Sequence, residues 1–259
     1  MSAAKRAPCP VCNRGPKDTA LSVTVDERGT VSYCHRCGYT QAENFERRPE
    51  VIPAPSRSDA PLDWSERAET IWRRTLPLGE LARVYLQGRG CVLPPRDGDL
   101  RFLPGSDRHA PSLCARITDS VTAKPISLHF TPLLPDGSGH GERHLLKGHR
   151  KAGGVIRLWP NEAVTHGLAI GEGIETCLAA AHLFSPVWAC VDAGNLARLP
   201  VLASIEALTI FADHDAAGLK AAADCASRWR ESGRDVRVLR ARLPGADIAD
   251  LARGMEGAA

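Results

Sequence analysis

The chain has 259 residues, of which 43% are hydrophobic and 24% charged, and its formal net charge is +3. This length allows one large domain or two to three small ones, and the composition is ordinary for a soluble globular protein. No apolar run approaches the roughly 20 residues of a membrane span, and the N-terminus lacks the apolar core of a signal peptide. We therefore expect a cytoplasmic protein with no membrane partner, in which the nine cysteines serve as metal ligands and buried thiols and do not form disulfides.

Two Cys-x-x-Cys pairs lie near the N-terminus, Cys9 with Cys12 and Cys34 with Cys37. Between them, the alternating stretches 20–25 and 30–33 predict a β-hairpin that brings the four thiolates together. Four thiolates in a tetrahedron form a structural Zn2+ site. The alternative is a redox pair as in thioredoxin, which is disfavoured because no βαβ unit surrounds the cysteines. The sequence therefore predicts a zinc ribbon over residues 1–45.

The second cysteine pair is surrounded by aromatic and cationic side chains. Tyr33, His35 and Arg36 combine stacking surfaces with positive charge, a mixture that suits single-stranded nucleic acid. The alternative is that these side chains only pack around the zinc site, and the sequence leaves both interpretations open.

Residues 46–62 have the proline, serine and charge content of a linker. The next segment, 63–154, is predicted to be a mixed α+β region, with two helices over 62–88 and short strands at 100–103, 112–117 and 126–134. A further strand is predicted at 155–158. Residues 142–154 are the densest cationic stretch and include Arg143, Lys147 and Lys151. We expect this segment to hold a nucleic-acid backbone or a nucleoside triphosphate, with a solvated loop as the alternative.

From residue 155 onward, apolar strands alternate with helices. Strands are predicted at 168–170, 187–191, 207–212 and 235–239, and helices start at 174 and span 219–231. Such alternation predicts a doubly wound, Rossmann-like parallel sheet over 155–259, so the fold class is α/β.

Three carboxylates follow two of these strands. Glu172 lies between Gly171 and Gly173 after the first strand, and Asp213 and Asp215 follow the third. Ligand sites of open α/β sheets lie at the carboxyl ends of the strands. Carboxylates at i and i+2 of an extended segment face the same side and provide the oxygen ligands that Mg2+, or Mn2+, prefers. If the two strands are neighbours, about 4.8 Å apart, the three carboxylates form one acidic cluster that suits such a cation.

Asp247 is a further acidic candidate downstream of the last predicted strand. It would either complete the metal site or cap a short helix over 248–253, and capping is the favoured single role.

These motifs resemble the Toprim domain that primases, topoisomerases and some nucleases share. The resemblance is carried by Gly-Glu-Gly-Ile-Glu-Thr at 171–176, Ala-Asp-His-Asp-Ala-Ala-Gly at 212–218 and Gly-Ala-Asp-Ile-Ala-Asp-Leu at 245–251. The motifs at 85–90, 100–102 and 127–129, the last ending in His129, look like the segment that precedes Toprim in proteins of phages and other mobile elements. A four-cysteine ribbon ahead of both is the arrangement of bacterial and phage DNA primases. Those primases usually carry an Asp four residues after the catalytic Glu, where this chain has Thr176, so no role is transferred to Glu175.

The resemblance implies a DNA primase that makes short RNA primers on a single-stranded DNA template from nucleoside triphosphates. It implies Glu172 as metal ligand or general base, Asp213 and Asp215 as metal ligands, and nucleic-acid or nucleotide contacts in the ribbon and the central region, including His129. No P-loop motif occurs in the sequence, so we expect a separate replicative helicase as partner. The alternatives are a Mg2+-dependent Toprim nuclease and a non-enzymatic DNA-binding clamp similar to recombination mediators.

Overall fold

The computed structural model describes residues 4–26, 29–44 and 63–240, and the chain divides into two compact units, 1–59 and 60–259. The predicted linker at 46–62 and the candidate ligand Asp247 lie outside the described residues. Within the described ranges, no helix is long and apolar enough to cross a membrane.

The first unit is a four-stranded antiparallel sheet with strands in chain order. The predicted hairpin is confirmed, because the second and third strands pair from Leu21 opposite Cys34 to Asp26 opposite Gly29. The outer strands were not predicted, since their short polar sequences show no apolar alternation. The four strands are β1 (Ala4–Ala7), β2 (Leu21–Asp26), β3 (Gly29–Cys34) and β4 (Thr40–Asn44).

The second unit begins with two helices that cover an antiparallel sheet. The helices pack on opposite faces: Ala68 and Trp72 of the first contact one core cluster, and Ala82, Tyr85 and Leu86 of the second contact another. The central strand of this sheet is therefore buried on both faces. The elements are α1 (Glu66–Arg73), α2 (Glu80–Gly88), β5 (Leu100–Leu103), β6 (Ser112–Asp119), β7 (Pro125–Pro132), β8 (His144–Leu145) and β9 (Gly154–Val155).

The antiparallel sheet runs in the order β5-β6-β7-β8, and β9 pairs with β6. The strand predicted at 155–158 is a correction, because only Gly154–Val155 forms ladder pairs there. The strand ends there because the backbone of Ile156 pairs instead with Ala189 of the parallel sheet, in an isolated bridge.

The remainder is a parallel sheet in the order β11-β10-β12-β13, as the strand–helix alternation predicts. Helix α3 covers one face, and α4 and α5 cover the other. Helix α4 was not predicted, and α5 begins three residues before its predicted start at residue 219. The elements are a short 3-10 helix (Asn161–Ala163), β10 (Gly167–Gly171), α3 (Ile174–Ala180), β11 (Val187–Ala189), α4 (Ala193–Arg198), β12 (Ala207–Ala212), α5 (Ala216–Glu231) and β13 (Asp235–Arg240).

The register places the carboxyl ends of β10 and β12 side by side, with Gly171 opposite Phe211. Gly171 also allows α3 to pack closely on β10, since a Cβ at this position would lie 2.9 Å from the Cys177 Sγ of α3. One hydrophobic core joins α2, the antiparallel sheet and α3, and it runs across residue 155. The predicted boundary between 63–154 and 155–259 stays a prediction.

Candidate active site

Glu172 lies at the point where strand β10 turns into helix α3. It directly follows Gly171, and Gly173 forms the N-cap of α3. Burial raises the pKa of the Glu172 carboxyl, and the negative charges of Asp213, Asp215 and Asp192 raise it further. The side chain therefore lies in a partly enclosed, strongly negative environment.

Asp213 and Asp215 follow the neighbouring strand β12. Asp215 caps α5, because its Oδ1 accepts a hydrogen bond of 2.7 Å from the backbone N–H of Gly218. Gly218 packs directly beneath Asp213, and a Cβ at this glycine would lie 2.8 Å from the Asp213 carbonyl oxygen. The sharp turn from strand into helix thus fixes both aspartates at the carboxyl edge of the sheet.

A cavity of about 400 Å³ lies in front of these carboxylates. The three predicted acids form one part of its wall, and two arginines and a histidine from the antiparallel region form another. The residues with charged or titratable side chains that line it are Arg89, His129, Arg143, Glu172, Glu175, Asp213, His214 and Asp215. The structure therefore brings anionic and cationic groups from distant parts of the chain to one cavity.

Arg143 is held in this wall by a buried carboxylate. Its Nη2 lies 2.9 Å from Oε1 of Glu175, which also accepts a hydrogen bond of 2.8 Å from the Tyr85 hydroxyl. Burial would raise the pKa of Glu175, but the charge of Arg143 and the bond from Tyr85 outweigh it and lower this pKa. Glu175 is therefore ionised and keeps Arg143 at the cavity.

His129 and Arg89 carry polar atoms without partners. Nδ1 of His129 and Nε of Arg89 are buried, and neither has a hydrogen-bond partner in the described part of the chain. Burial lowers the pKa of His129 to about 4, although the charge of Glu175 acts in the opposite direction. His129 is therefore neutral at pH 7.

The four cysteines of the first unit form a separate cluster. The Sγ atoms of Cys9 and Cys37 lie 3.7 Å apart, and those of Cys12 and Cys34 lie 3.6 Å apart. Four thiolates at about 2.3 Å from a central Zn2+ would be about 3.8 Å from one another, so these distances fit a tetrahedral zinc site. The predicted zinc-ligand set therefore matches the arrangement of the thiols.

Comparison with known families supports the C-terminal assignment. Residues 167–259 match the model of the Toprim domain, and residues 63–158 match a domain of unknown function, DUF7146. The C-terminal part of this chain is a Toprim domain. The predicted recognition is thereby confirmed for the segment that carries Glu172, Asp213 and Asp215. No curated protein sequence matches the chain significantly.

Three solved structures are similar to the Toprim-containing chain. The primase fragment of the bacteriophage T7 primase-helicase protein is 15% identical, with a TM-score of 0.47, over 100% of this chain and 97% of that chain. The Aquifex aeolicus primase, with zinc-binding and RNA polymerase domains, is 16% identical, with a TM-score of 0.48, over 96% and 75%. A DNA primase domain from Pseudomonas aeruginosa is 20% identical, with a TM-score of 0.39, over 68% and 56%. The domain assignment rests on the family match.

In the described part of the chain, the acids of the Toprim domain do not form a compact set of ligand atoms. Among the described residues, only the four cysteines bring three or more ligand atoms within 4.8 Å of one another, so the carboxylates are spread along the cavity wall. Mg2+ keeps several of its waters and takes only one or two protein carboxylates directly. The repulsion that raises the pKa of Glu172 is one that a bound cation would relieve.

The other predicted contact residues occupy different places. Lys151 forms an ion pair of 2.7 Å with Asp192, and Lys147 lines a different cavity. In the ribbon, Arg36 bonds in a bidentate manner to Asp18, at 2.7 Å and 2.9 Å, which shows a structural role. Tyr33 and His35 are exposed and form an edge-to-face pair with ring centroids 5.0 Å apart. Nucleic-acid contacts by all five residues stay predictions.

Sequence analysis missed two residues beside the Toprim acids. Asp192 follows strand β11, the neighbour of β10, and its negative charge contributes to the raised pKa of Glu172. Asp192 could have been found by the same pattern as Glu172, because it directly follows the buried strand predicted at 187–191. Arg89 lies at the C-cap of α2, where the flanking glycines indicated only a helix end.

Replacing Glu175 with glutamine should destabilise the second unit. Because the Arg143 side chain is 40% exposed and partly screened, we expect a loss of about 1.5 kcal/mol at pH 7. The folded-state pKa of Glu175 is lowered, so its contribution is present above the ordinary pKa of 4.5 and is lost as the pH falls below it. Urea unfolding followed by tryptophan fluorescence should show a difference that shrinks at low pH. The exposed variant Glu142→Gln should unfold like the parent, and an unchanged Glu175→Gln midpoint at pH 7 would contradict the assignment.

Proposed function

We propose that this protein is a DNA primase that synthesises short RNA primers on a single-stranded DNA template. The observation that carries the proposal is the single cavity in which Glu172, Asp213 and Asp215 lie together with Arg89 and Arg143. Nucleotidyl transfer needs cation ligands near the reacting phosphate and positive charge for the rest of the triphosphate. This cavity provides both within one compact unit.

The carboxylates of Glu172, Asp213 and Asp215 would hold Mg2+ or Mn2+ in the cavity. Asp247 is a further candidate ligand. When bound, the cation would position the nucleotide phosphates, screen their charge and lower the pKa of the attacking hydroxyl. The thiolates of Cys9, Cys12, Cys34 and Cys37 would hold structural Zn2+.

In the proposed reaction, the primer 3′-oxygen attacks the α-phosphorus of the incoming nucleotide, a P–O bond forms, and pyrophosphate leaves. Glu172 lines the cavity beside Asp213 and Asp215 and would act either as a cation ligand or as the base that accepts the hydroxyl proton. Arg89 and Arg143 would bind the β- and γ-phosphates. Neutral His129 lines the cavity and would contact the nucleotide there.

The zinc ribbon would contact the template through Tyr33 and His35, whose rings are exposed for base stacking. Lys147, which is exposed, and Lys151, whose ammonium would exchange its ion pair with Asp192 for a phosphate, are further candidate contacts to the nucleic-acid backbone. The proposed partners include a replicative helicase that unwinds the duplex.

Replacing Arg89 with glutamine should weaken nucleotide binding. Losing one charge-assisted contact to phosphate would raise the KM for nucleoside triphosphates about tenfold, with a smaller change in kcat. Arg83→Gln, an exposed position on the same helix, is the matched control. Initial rates of labelled nucleotide incorporation at varied nucleotide concentration measure both constants. An Arg89→Gln enzyme with parental KM would show that this arginine does not contact the nucleotide.

A Toprim nuclease is the second candidate, because the same acids and the same base would serve a water molecule as nucleophile. Labelled single-stranded DNA with Mg2+ and no nucleotides separates the two functions, since cleavage favours the nuclease and extension after nucleotide addition favours the primase. A DNA-binding clamp would show neither activity. The clamp is disfavoured because it has no use for three carboxylates whose charges oppose one another.

A further inference from the structure

A second cavity, of about 570 Å³, lies beside helix α1. We call it the α1 groove. It shares no lining residue with the active-site cavity. Neighbouring residues of β7 line the two cavities, His129 the active site and Phe130 the α1 groove, as expected for side chains that alternate across a strand. The groove is therefore a separate surface of the second unit.

The floor of the α1 groove is apolar and mainly aliphatic. Leu103 and Leu146 are buried side chains of the core cluster beneath it, and Ile71 of α1 is half-buried at its side. Phe130 is only 6% exposed, and the His144 ring stacks on it at 5.1 Å. Leu145 of β8 is half-buried and adds aliphatic surface, and the exposed rings of His109 and His144 also line the groove.

The rim of the α1 groove is positively charged. Arg67, Arg74, Arg108 and Lys147 line it, and no Asp or Glu does. None of these four side chains forms an ion pair within the described ranges, whereas Arg143, Arg150 and Lys151 of the neighbouring cationic segment all do. The charge of this rim is therefore uncompensated by the described residues.

Helix α1 contributes to both parts of the groove. Arg67, Ile71 and Arg74 follow the spacing i, i+4 and i+7, so they lie along one stripe of α1 and its C-cap. Along this stripe, the apolar side chain of Ile71 lies between the positive charges of Arg67 and Arg74. A ligand of complementary pattern would carry an apolar side chain between two anionic groups.

We propose that the α1 groove binds an acidic peptide segment of a partner protein, in which apolar side chains alternate with carboxylates. Its apolar side chains contact Ile71 and Leu145, and its carboxylates pair with the rim cations. Single-stranded nucleic acid is the rival ligand, since the rim cations would also attract phosphates, but the half-buried aliphatic side chains of Ile71 and Leu145 on the floor favour the apolar side chains of a peptide. This inference does not depend on the chemistry of the Toprim site.

Fluorescence anisotropy with the zinc-loaded full chain tests the proposal. The probe is a labelled ten-residue peptide of alternating leucine and aspartate. One comparison peptide replaces each aspartate with asparagine, and a second replaces each leucine with serine. We expect both comparison peptides to bind at least about tenfold more weakly, and binding of the probe to weaken as salt rises.

Two variant pairs probe the rim independently, Arg67→Glu with Lys147→Glu, and Arg74→Glu with Arg108→Glu. Each should weaken binding of the probe at least about tenfold, whereas Lys124→Glu, an exposed cation outside the groove, should not. All positions are exposed, and unchanged tryptophan fluorescence would verify folding. Equal binding of the asparagine peptide would overturn the proposal. So would oligothymidylate binding that both variant pairs abolish while the probe peptide fails to bind.

Discussion

Replacing Asp213 with asparagine is expected to lower Mg2+-dependent primer synthesis by about 10²–10³-fold or more. Asp213 follows β12 and Glu172 follows the neighbouring strand β10, so both lie at the carboxyl edge of the parallel sheet. The negative charge of Asp213 contributes to the raised pKa of Glu172. Asparagine keeps the shape that packs above Gly218 but removes the negative charge that a cation needs. Incorporation of labelled nucleotides on a panel of short single-stranded templates measures the effect, and zinc content should stay at the parental level.

The matched control for Asp213→Asn is Glu162→Gln, which removes an exposed carboxylate from the short 3-10 helix. This variant should retain full synthesis. If Asp213→Asn were also fully active with its zinc bound, the proposed catalytic site would be wrong. If it were inactive but had also lost its folded tryptophan fluorescence, a second variant, Asp215→Asn, would decide.

Replacing Cys34 with serine is expected to unfold the zinc ribbon and to abolish template-dependent synthesis. Cys34 is fully buried and belongs to the four-thiol cluster. Metal binding supplies about 10–16 kcal/mol of apparent free energy to small zinc domains, far more than the small core of this ribbon provides. All five tryptophans lie between residues 64 and 229, so their fluorescence reports on the second unit alone. Its unfolding transition should stay unchanged while bound zinc falls from one ion per chain to none.

Cys225→Ala is the control for Cys34→Ser, because Cys225 is a buried thiol of α5 with no place in the four-cysteine cluster. It should keep one zinc per chain and its activity. A Cys34→Ser protein that retained stoichiometric zinc would contradict the ligand assignment. One that lost zinc but primed normally would remove the ribbon from the proposed function.

The sequence was most informative where local chemistry determines geometry. The Cys-x-x-Cys pairs predicted the thiol cluster because each pair presents two ligands and the hairpin between them has an alternating pattern. Glu172 and Asp213 were predicted to lie close together because parallel strands place their carboxyl ends at one edge, and β10 and β12 are neighbours. Periodicity also predicted α3 and all four parallel strands.

Contacts between distant residues could not be predicted in this way. Tyr85 and Glu175 are 90 residues apart, and no local pattern indicates that a buried glutamate of α3 holds Arg143 at the cavity. The cationic stretch at 142–154 illustrates the same limit. Its composition predicted a surface for phosphates, but Arg150 pairs with Asp63 and Asp119, and Lys151 pairs with Asp192. Composition counts charges, whereas the fold decides which of them are already neutralised.

The core shared by α2 and α3 has a consequence for how the catalytic segment can be dissected. The backbone N–H of Val92 donates to the Leu178 carbonyl, and Tyr85 reaches Glu175, so the Toprim segment is joined to residues far upstream by main-chain and side-chain bonds. Excised alone, it would expose the apolar face of α3 and lose every arginine of the cavity. We therefore expect the Toprim segment to be inactive on its own, because the arginines that face its acids belong to the upstream segment.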